Sequence, residues 1–285
     1  MSLSTLDSRR IGVRATLNYL FRTEKKPYAY TFEPPTGVPA RSGEVDAIEN
    51  VLIRDARSFA NLFSLNGAGF ELHAHESIVR DFYDEDEVHD IYYVEVEELL
   101  LKATGAEKVV IFDHTIRSVP RFSDGAQGVR EPVRRVHNDY TDASGRRRVR
   151  DHLDPWESEE RLKHRFLEVN VWRAIAGPLL DAPLALCDAR TISPEDLIAT
   201  DLIYPDKIGE TYSVSYSPAH RWYYFPKMRP DEALLIKCFD SDEASSSRFT
   251  AHTAFDDPTT PPNALPRESI EVRALVFFAP EGGRP

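Results

Sequence analysis

Val133-Arg134-Arg135-Val136-His137-Asn138-Asp139-Tyr140 is the stretch on which the reading of this chain turns. It is strand-like, and it carries a histidine and an aspartate two positions apart. Residues two apart on a strand face the same side, so His137 and Asp139 can point together into the mouth of a barrel. The same spacing recurs at His152-Leu153-Asp154. There Asp154 precedes Pro155-Trp156-Glu157 and reads instead as the N-cap of a short helix, with proline at the first helical position and glutamate at the third.

Downstream, strand-like runs follow one another: Leu167–Ile175, Pro183–Cys187, Tyr212–Ser217, Trp222–Phe225, Ala233–Phe239 and Ser269–Phe278. Turns rich in proline, glycine and aspartate separate them, and one short helix interrupts. Many short strands with such punctuation predict a double-sheet jelly roll. Upstream, residues 1–50 read as extended and turn-rich, with a strand over 28–32. Residues 85–104 read as a helix, because Val88, Ile91, Tyr92, Val96, Leu99, Leu100 and Ala103 recur at helical spacing and Gly105 ends them, with a short strand over the alternating Val94–Glu97 as the rival. Lys108–Phe112 reads as a strand. The expected fold is mainly β with flanking helices around a double-stranded β-helix core, jelly-roll and cupin-like. We expect one domain over residues 1–285, in which a segment of about 1–130 wraps a barrel core of about 131–279.

Hydrophobic residues make up 41% of the 285, enough for a sizeable core, and the net charge is −12. An acidic chain is a poor partner for nucleic acid, whose binding is carried by clustered Lys and Arg. The basic run Arg146–Arg150 reads as a solvated loop edge. The two cysteines, Cys187 and Cys238, sit in apolar runs and read as buried free thiols of a reducing compartment. The first residues show no signal-peptide pattern, and no stretch reaches the roughly 18 apolar residues of a membrane span. A cytoplasmic protein with no membrane contact is the expectation.

A histidine and an aspartate are two-thirds of a familiar metal-binding set. Two imidazoles and one carboxylate hold Fe(II) on one face and leave the opposite positions open. The third ligand should come from a later strand, and His252, beyond the turn Met228–Glu232 and the strand that follows it, fits that place. A turn histidine is the bland alternative. Next comes Arg267-Glu268-Ser269-Ile270-Glu271-Val272-Arg273. Arg267, Ser269, Glu271 and Arg273 share one face of this alternating strand. A guanidinium grips a carboxylate bidentately, and the Ser269 hydroxyl can add a further bond. Arg267 is the first choice for the remote carboxylate of a 2-oxo acid, and Arg273 the second. A solvated edge strand would alternate in the same way. Other histidines compete. His73-Ala74-His75 could be half of a cupin-like site, His114 reads as a strand-end residue near the pocket, and His220 as a packed strand-edge residue. The pattern H-x-D, H, R-x-S reads as an Fe(II)- and 2-oxoglutarate-dependent oxygenase. Such an enzyme releases succinate and CO2 while oxidising an unactivated C–H bond by hydroxylation, desaturation or cyclisation.

Six blocks carry a wider resemblance: Val13–Leu20, Ile111–Arg117, Arg135–Asp139, Asn170–Arg173, His220–Pro226 and Arg267–Ala274. Over about residues 12–279 the chain resembles the AsaB/CmcJ-like hydroxylase/desaturase family of fungal and bacterial secondary metabolism. The resemblance implies a non-haem iron dioxygenase acting on a small natural-product intermediate of amino-acid, peptide or polyketide origin. It also implies His137, Asp139 and His252 as ligands and leaves room for a partner protein. Arg117, Asn170, Trp172, Arg173 and Tyr224 are then the expected substrate-pocket lining, against core packing for the aromatics. The long gap from Asp139 to His252 has to be accommodated between core strands. The rival readings are a metal-free barrel that binds a small molecule or assists a partner enzyme, and a metal enzyme with no need of Arg267 and Ser269.

Overall fold

The computed structural model describes residues 12–280, and the reading of the first residues as lacking a signal peptide lies outside them. In chain order the strands and helices are β1 (Gly12–Leu20), β2 (Tyr28–Tyr30), β3 (Val45–Asp55), β4 (Phe70–Ala74), α1 (Glu85–Glu87), α2 (Tyr93–Thr104), β5 (Lys108–Ser118), α3 (Val119–Ser123), β6 (Val129–Arg130), β7 (His137–Asn138), α4 (Asp142–His152), α5 (Pro155–Arg161), β8 (Phe166–Ala174), β9 (Leu184–Cys187), β10 (Leu197–Ile203), β11 (Ile208–Val214), β12 (Trp222–Tyr224), β13 (Glu232–Asp240), β14 (His252–Ala254) and β15 (Glu268–Phe277). A π-turn, Val88–Tyr92, joins α1 to α2.

The strands form two sheets. One runs β1-β3-β12-β9-β14-β7-β11-β10-β2 and the other β4-β13-β8-β15-β5-β6. The expected jelly-roll core is present. Between the sheets lies a cluster that joins Phe166, Trp172, Leu234, Ile236, Leu275 and Phe277 of the six-stranded sheet to Leu184 and Leu186 of the nine-stranded one. A second cluster packs Val169, Val171, Val272 and Ala274 against Val96, Leu99 and Leu100 of α2. The six-stranded sheet is therefore covered on both faces, which is why β8 and β13 are buried along their whole length. Ala15, Leu17, Tyr19, Ile53 and Trp222 form a third cluster on the outer face of the nine-stranded sheet.

The predicted helix over 85–104 is present, with its π-turn, and Gly105 ends it at φ 69° with its N–H on the Leu101 carbonyl. Asp154 caps α5 by accepting from the Trp156 and Glu157 N–H groups. Four expectations need correction. First, β1 and β3 are long paired strands within residues expected to be only extended and turn-rich. The alternation Val13, Ala15, Leu17, Tyr19 carried that signal. Second, the strand over Val133–Tyr140 shrinks to β7. Arg135 makes only an isolated bridge, to Asn18. Third, Arg146–Arg150 lie on α4 rather than on a loop. Thr141 and Ser144 form a capping box there, and Arg150 pairs with Glu159 at 2.6 Å. Gly145 of this helix gives room to the Phe239 ring, which a Cβ would meet at 2.9 Å. Fourth, β5 runs on to Ser118, so His114 sits in mid-strand.

Candidate metal centre

β7 and β14 are antiparallel neighbours, and His137 stands directly opposite His252. Cross-strand partners put their Cβ atoms about 4.5–5.5 Å apart, and the two imidazole centroids lie 4.5 Å from each other. The long stretch between Asp139 and His252 holds α4, α5 and β8–β13. The chain crosses both sheets before returning to the strand beside its starting point. Asp139 lies one residue past the end of β7, with Oδ1 3.4 Å from His137 Nε2 and 4.0 Å from His252 Nε2. The three ligating atoms fall within 4.8 Å of one another.

Each of these groups is oriented by its other polar atom. His137 Nδ1 is 2.8 Å from the Arg135 carbonyl, and His252 Nδ1 is 3.0 Å from the Thr250 carbonyl. An N–H must point at each carbonyl, which leaves both Nε2 lone pairs facing the common centre. Asp139 Oδ2 accepts from Asn170 Nδ2 at 2.7 Å and from Arg273 Nε at 3.2 Å, so Oδ1 is the atom left for an ion. Burial works to raise the Asp139 carboxyl. The neighbouring His137 and the Arg273 guanidinium outweigh it and hold the group well below the usual carboxylate range. Burial and the neighbouring His137 lower His252, which keeps it neutral. The donor set therefore fits a divalent metal.

Facing this triad is a polar patch on the inner side of the six-stranded sheet. β15 runs between β8 and β5. Asn170, Arg273 and Asp113 lie in one cross-strand row, Trp172, Glu271 and Thr115 in the next, and Ala174, Ser269 and Arg117 in a third. The two arginines of β15 and its approach differ sharply. Arg273 donates to Asp139, to Asp113 at 2.9 Å, to Thr115 at 3.0 Å and to Glu271 at 2.7 Å. Arg267 is 3% exposed, and its side chain meets only neutral acceptors: Ser269 Oγ at 2.9 Å and the Ala182 carbonyl at 3.0 Å. Its guanidinium lies 4.9 Å from the Trp172 ring centroid. Burial and the neighbouring Arg117 pull it down to about 9. Trp172 Nε1 is buried with no acceptor among the described residues. A buried cation bonded to no carboxylate among the described residues, beside an unused donor, fits an anionic ligand.

The pocket expectations divide. Asn170, Trp172 and Arg117 lie on this inner patch. Arg173 does not. It follows Trp172 on the strand and points to the opposite face of β8, where Nη2 donates to the His75 carbonyl at 2.8 Å and the guanidinium sits over Tyr92. Tyr224 likewise lies on the outer face of the nine-stranded sheet, packed with Phe255. Both calls are corrected by strand alternation. Among the competing histidines, His73 bonds Glu71 at 2.7 Å, and His220 lies between Tyr19 and Asp196 at 3.2 Å from each. Neither meets the triad. Asp113, Thr115 and Glu271 were missed as site residues. The alternation Asp113-x-Thr115-x-Arg117 hinted at them, but only the register with β15 shows whom they face.

Two facing sheets, a His-Asp-His set at one mouth with His252 buried and its partners half-buried, and a buried arginine across from it define a non-haem metal oxygenase fold and site. The comparisons agree. A family model described as "Oxidoreductase/YMDC permease-like domain" matches residues 17–277. The chain is 36% identical over 242 residues to the Fe(II)/2-oxoglutarate-dependent dioxygenase nvfI of Aspergillus novofumigatus, covering 82% of this chain and 84% of that protein. It is 33% identical over 250 residues to the hydroxylase/desaturase efuI of Hormonema carpetanum, covering 80% and 83%. The solved structure of the iron and alpha-ketoglutarate-dependent endoperoxidase NvfI superposes with a TM-score of 0.86 at 29% identity, covering 95% of this chain and all of that one.

The chain belongs to this family of Fe(II)/2-oxoglutarate-dependent dioxygenases and hydroxylase/desaturases. It is an oxidoreductase whose cofactors are Fe(II) and 2-oxoglutarate. A metal-free barrel is disfavoured, because all three ligand positions hold competent side chains. No described helix is long and apolar enough to cross a membrane.

Proposed function

We propose that His137, Asp139 and His252 hold the iron, that Arg267 with Ser269 receives the remote carboxylate of 2-oxoglutarate, and that Arg273 positions Asp139 rather than binding the cosubstrate. The observation that carries this reading is the difference in partners. Arg273 already serves three carboxylates, whereas the buried Arg267 guanidinium bonds to no carboxylate among the described residues. When bound, iron and 2-oxoglutarate supply an oxidation driven by dioxygen, with succinate and CO2 as co-products. This chain's residues supply the geometry. The Arg135 and Thr250 carbonyls hold the two imidazoles in the ligating tautomer, and Asn170 and Arg273 fix the Asp139 carboxylate. Trp172 walls off the Arg267 guanidinium from water, so that its charge acts at low dielectric.

Arg117, half-buried beside Arg267, is a second cation on the same patch. One of its N–H groups donates to the Glu131 carbonyl at 2.8 Å. We assign it to an acidic or carbonyl group of the substrate. That substrate is a small natural-product intermediate, oxidised by hydroxylation, desaturation or ring closure. The chain acts as one unit over 1–285, a reading supported by β1, β3 and β4 belonging to the same two sheets as the core strands. Two buried free cysteines favour a cytoplasmic setting.

The direct test is anaerobic titration of the metal-free protein with Fe(II) and then 2-oxoglutarate. The weak metal-to-ligand charge-transfer band should grow to one equivalent. A screen of natural-product precursors for substrate-dependent succinate formation follows. No band, with no succinate from any precursor, would refute the assignment.

A further inference from the structure

We propose that Glu85, His89 and His114 form a second transition-metal site, of the kind that takes Zn2+, on the outer face of the six-stranded sheet. The residues come from two elements with separate reasons for their placement. Asp84 caps α1 by accepting from the Asp86 and Glu87 N–H groups, which fixes where the helix begins. Glu85 and His89 then stand one turn apart on one helix face. His114 comes from β5, opposite Val272 of β15, on the face that packs against the helix. Tyr93, one turn beyond His89, brings its hydroxyl to within 2.9 Å of His114 Nδ1.

That last contact makes the arrangement more than a surface ion-pair cluster. With Nδ1–H donated to the Tyr93 oxygen, His114 turns its Nε2 lone pair towards Glu85 and His89. This is the outer-shell support that metal-bound histidines ordinarily have. His114 Nε2 lies 3.7 Å from Glu85 Oε1, and His89 Nε2 lies 3.8 Å from Glu85 Oε2. The three ligating atoms fall within 4.8 Å of one another. Nitrogen and oxygen ligands about 2.1 Å from a tetrahedral ion stand about 3.4 Å apart, so small rotations of two exposed side chains close the set. Two imidazoles and one carboxylate suit Zn2+ or a similar borderline ion, and leave a fourth position to water. The side chain of His114 is 10% exposed, whereas those of Glu85 and His89 are 65% and 53% exposed. The ion would dock from solvent onto a fixed strand histidine. It would tie the start of the helical segment to β5.

The site is separate from the iron ligands, since His114 points away from the inner patch on which Asp113 and Thr115 sit. The test is titration of the metal-free full chain with Co2+, followed by visible absorption and calorimetry. The wild-type chain should bind two equivalents. His89→Ala and Glu85→Gln should each bind one, and so should His137→Ala, while the His89→Ala/His137→Ala double variant should bind none. Tyr93→Phe should weaken the second equivalent by roughly 10-fold. His89 and Glu85 are exposed, so these variants keep the fold. A single equivalent in the wild type, or a second one that survives His89→Ala, would overturn the proposal.

Discussion

Replacing Arg267 and replacing Arg273 should have opposite effects on the chain without cosubstrate, although both arginines lie on the same face of one strand. Arg267 is brought down to about 9 because burial and Arg117 oppose its charge. A base with a depressed folded value destabilises the fold below that value, here by up to roughly 5 kcal/mol at neutral pH. Arg267→Met keeps much of the packing on Trp172 and removes that charge. The variant's melting temperature without 2-oxoglutarate should therefore match or exceed that of the wild type. Arg273→Met instead leaves the buried Glu271 and Asp139 carboxylates uncompensated, at a cost of about 3–5 kcal/mol. The half-exposed Asp113 adds little. Binding shows the reverse order. Saturating 2-oxoglutarate at a hundredfold excess over its Kd should stabilise the iron-loaded wild type by about 2.7 kcal/mol. Two charge-assisted bonds at about 1.5–3 kcal/mol each are lost in Arg267→Met. Its affinity should fall about 10²- to 10⁴-fold, and the thermal shift should vanish at the same concentration. The assay is thermal unfolding of the anaerobic Fe(II) protein across a 2-oxoglutarate series, paired with succinate release. An undiminished shift in Arg267→Met would refute the anchor assignment and favour a metal enzyme that has no use for this residue.

Three further outcomes follow from the same contacts. His137→Ala, Asp139→Ala and His252→Ala should each lose stoichiometric iron, measured by metal analysis after desalting, and all succinate formation with it. Asn170→Leu removes the 2.7 Å bond to Asp139 Oδ2, so iron affinity should fall about 10- to 100-fold with the ligands intact, as read by chelator competition. Glu168 is fully buried and neither carboxyl oxygen has a partner among the described residues, and burial holds it protonated well above the carboxylate range. A raised folded value gives stability that is complete below the unfolded value of about 4.3 and drains away as pH rises towards the folded one. Glu168→Gln should remove that contribution, and between pH 6 and pH 8 denaturant unfolding should show the wild type losing stability relative to the variant.

The fold was legible where one physical signal dominated. Helical spacing over 85–104 with a closing glycine prevailed over the short alternation Val94–Glu97, and the alternation over 267–276 correctly sorted Arg267, Ser269, Glu271 and Arg273 from Ile270, Val272, Ala274 and Val276. Arg173 and Tyr224 were taken from blocks rich in polar and aromatic residues. β8 is buried along its whole length, so burial gives no alternation there and side cannot be told from sequence, while β12 is only three residues long and all three are aromatic. α4 was missed because the run Arg146–Arg150 was read by its charge as a solvated loop edge, and the capping box and the close approach of Phe239 that mark the helix appear only in three dimensions.

The metal set makes the same point at finer scale. His137 and Asp139 were legible as a pair because two residues sufficed to state their geometry. Yet the strand expected to present both ends at Asn138. What holds Asp139 is the pair of donors from the facing sheet, Asn170 and Arg273, which are remote in sequence. His252 could be placed only by order along the chain, whereas its position is set by a single cross-strand pairing with His137. Arg267 and Arg273 are the limiting case. Their residue type and face are identical, and no local property separates them. Only their partners do: three carboxylates bonded to one guanidinium, and only neutral acceptors bonded to the other among the described residues. A binding arginine is thus recognised here by the carboxylate bond it lacks, and that is a property of the folded sheet rather than of the strand that carries it.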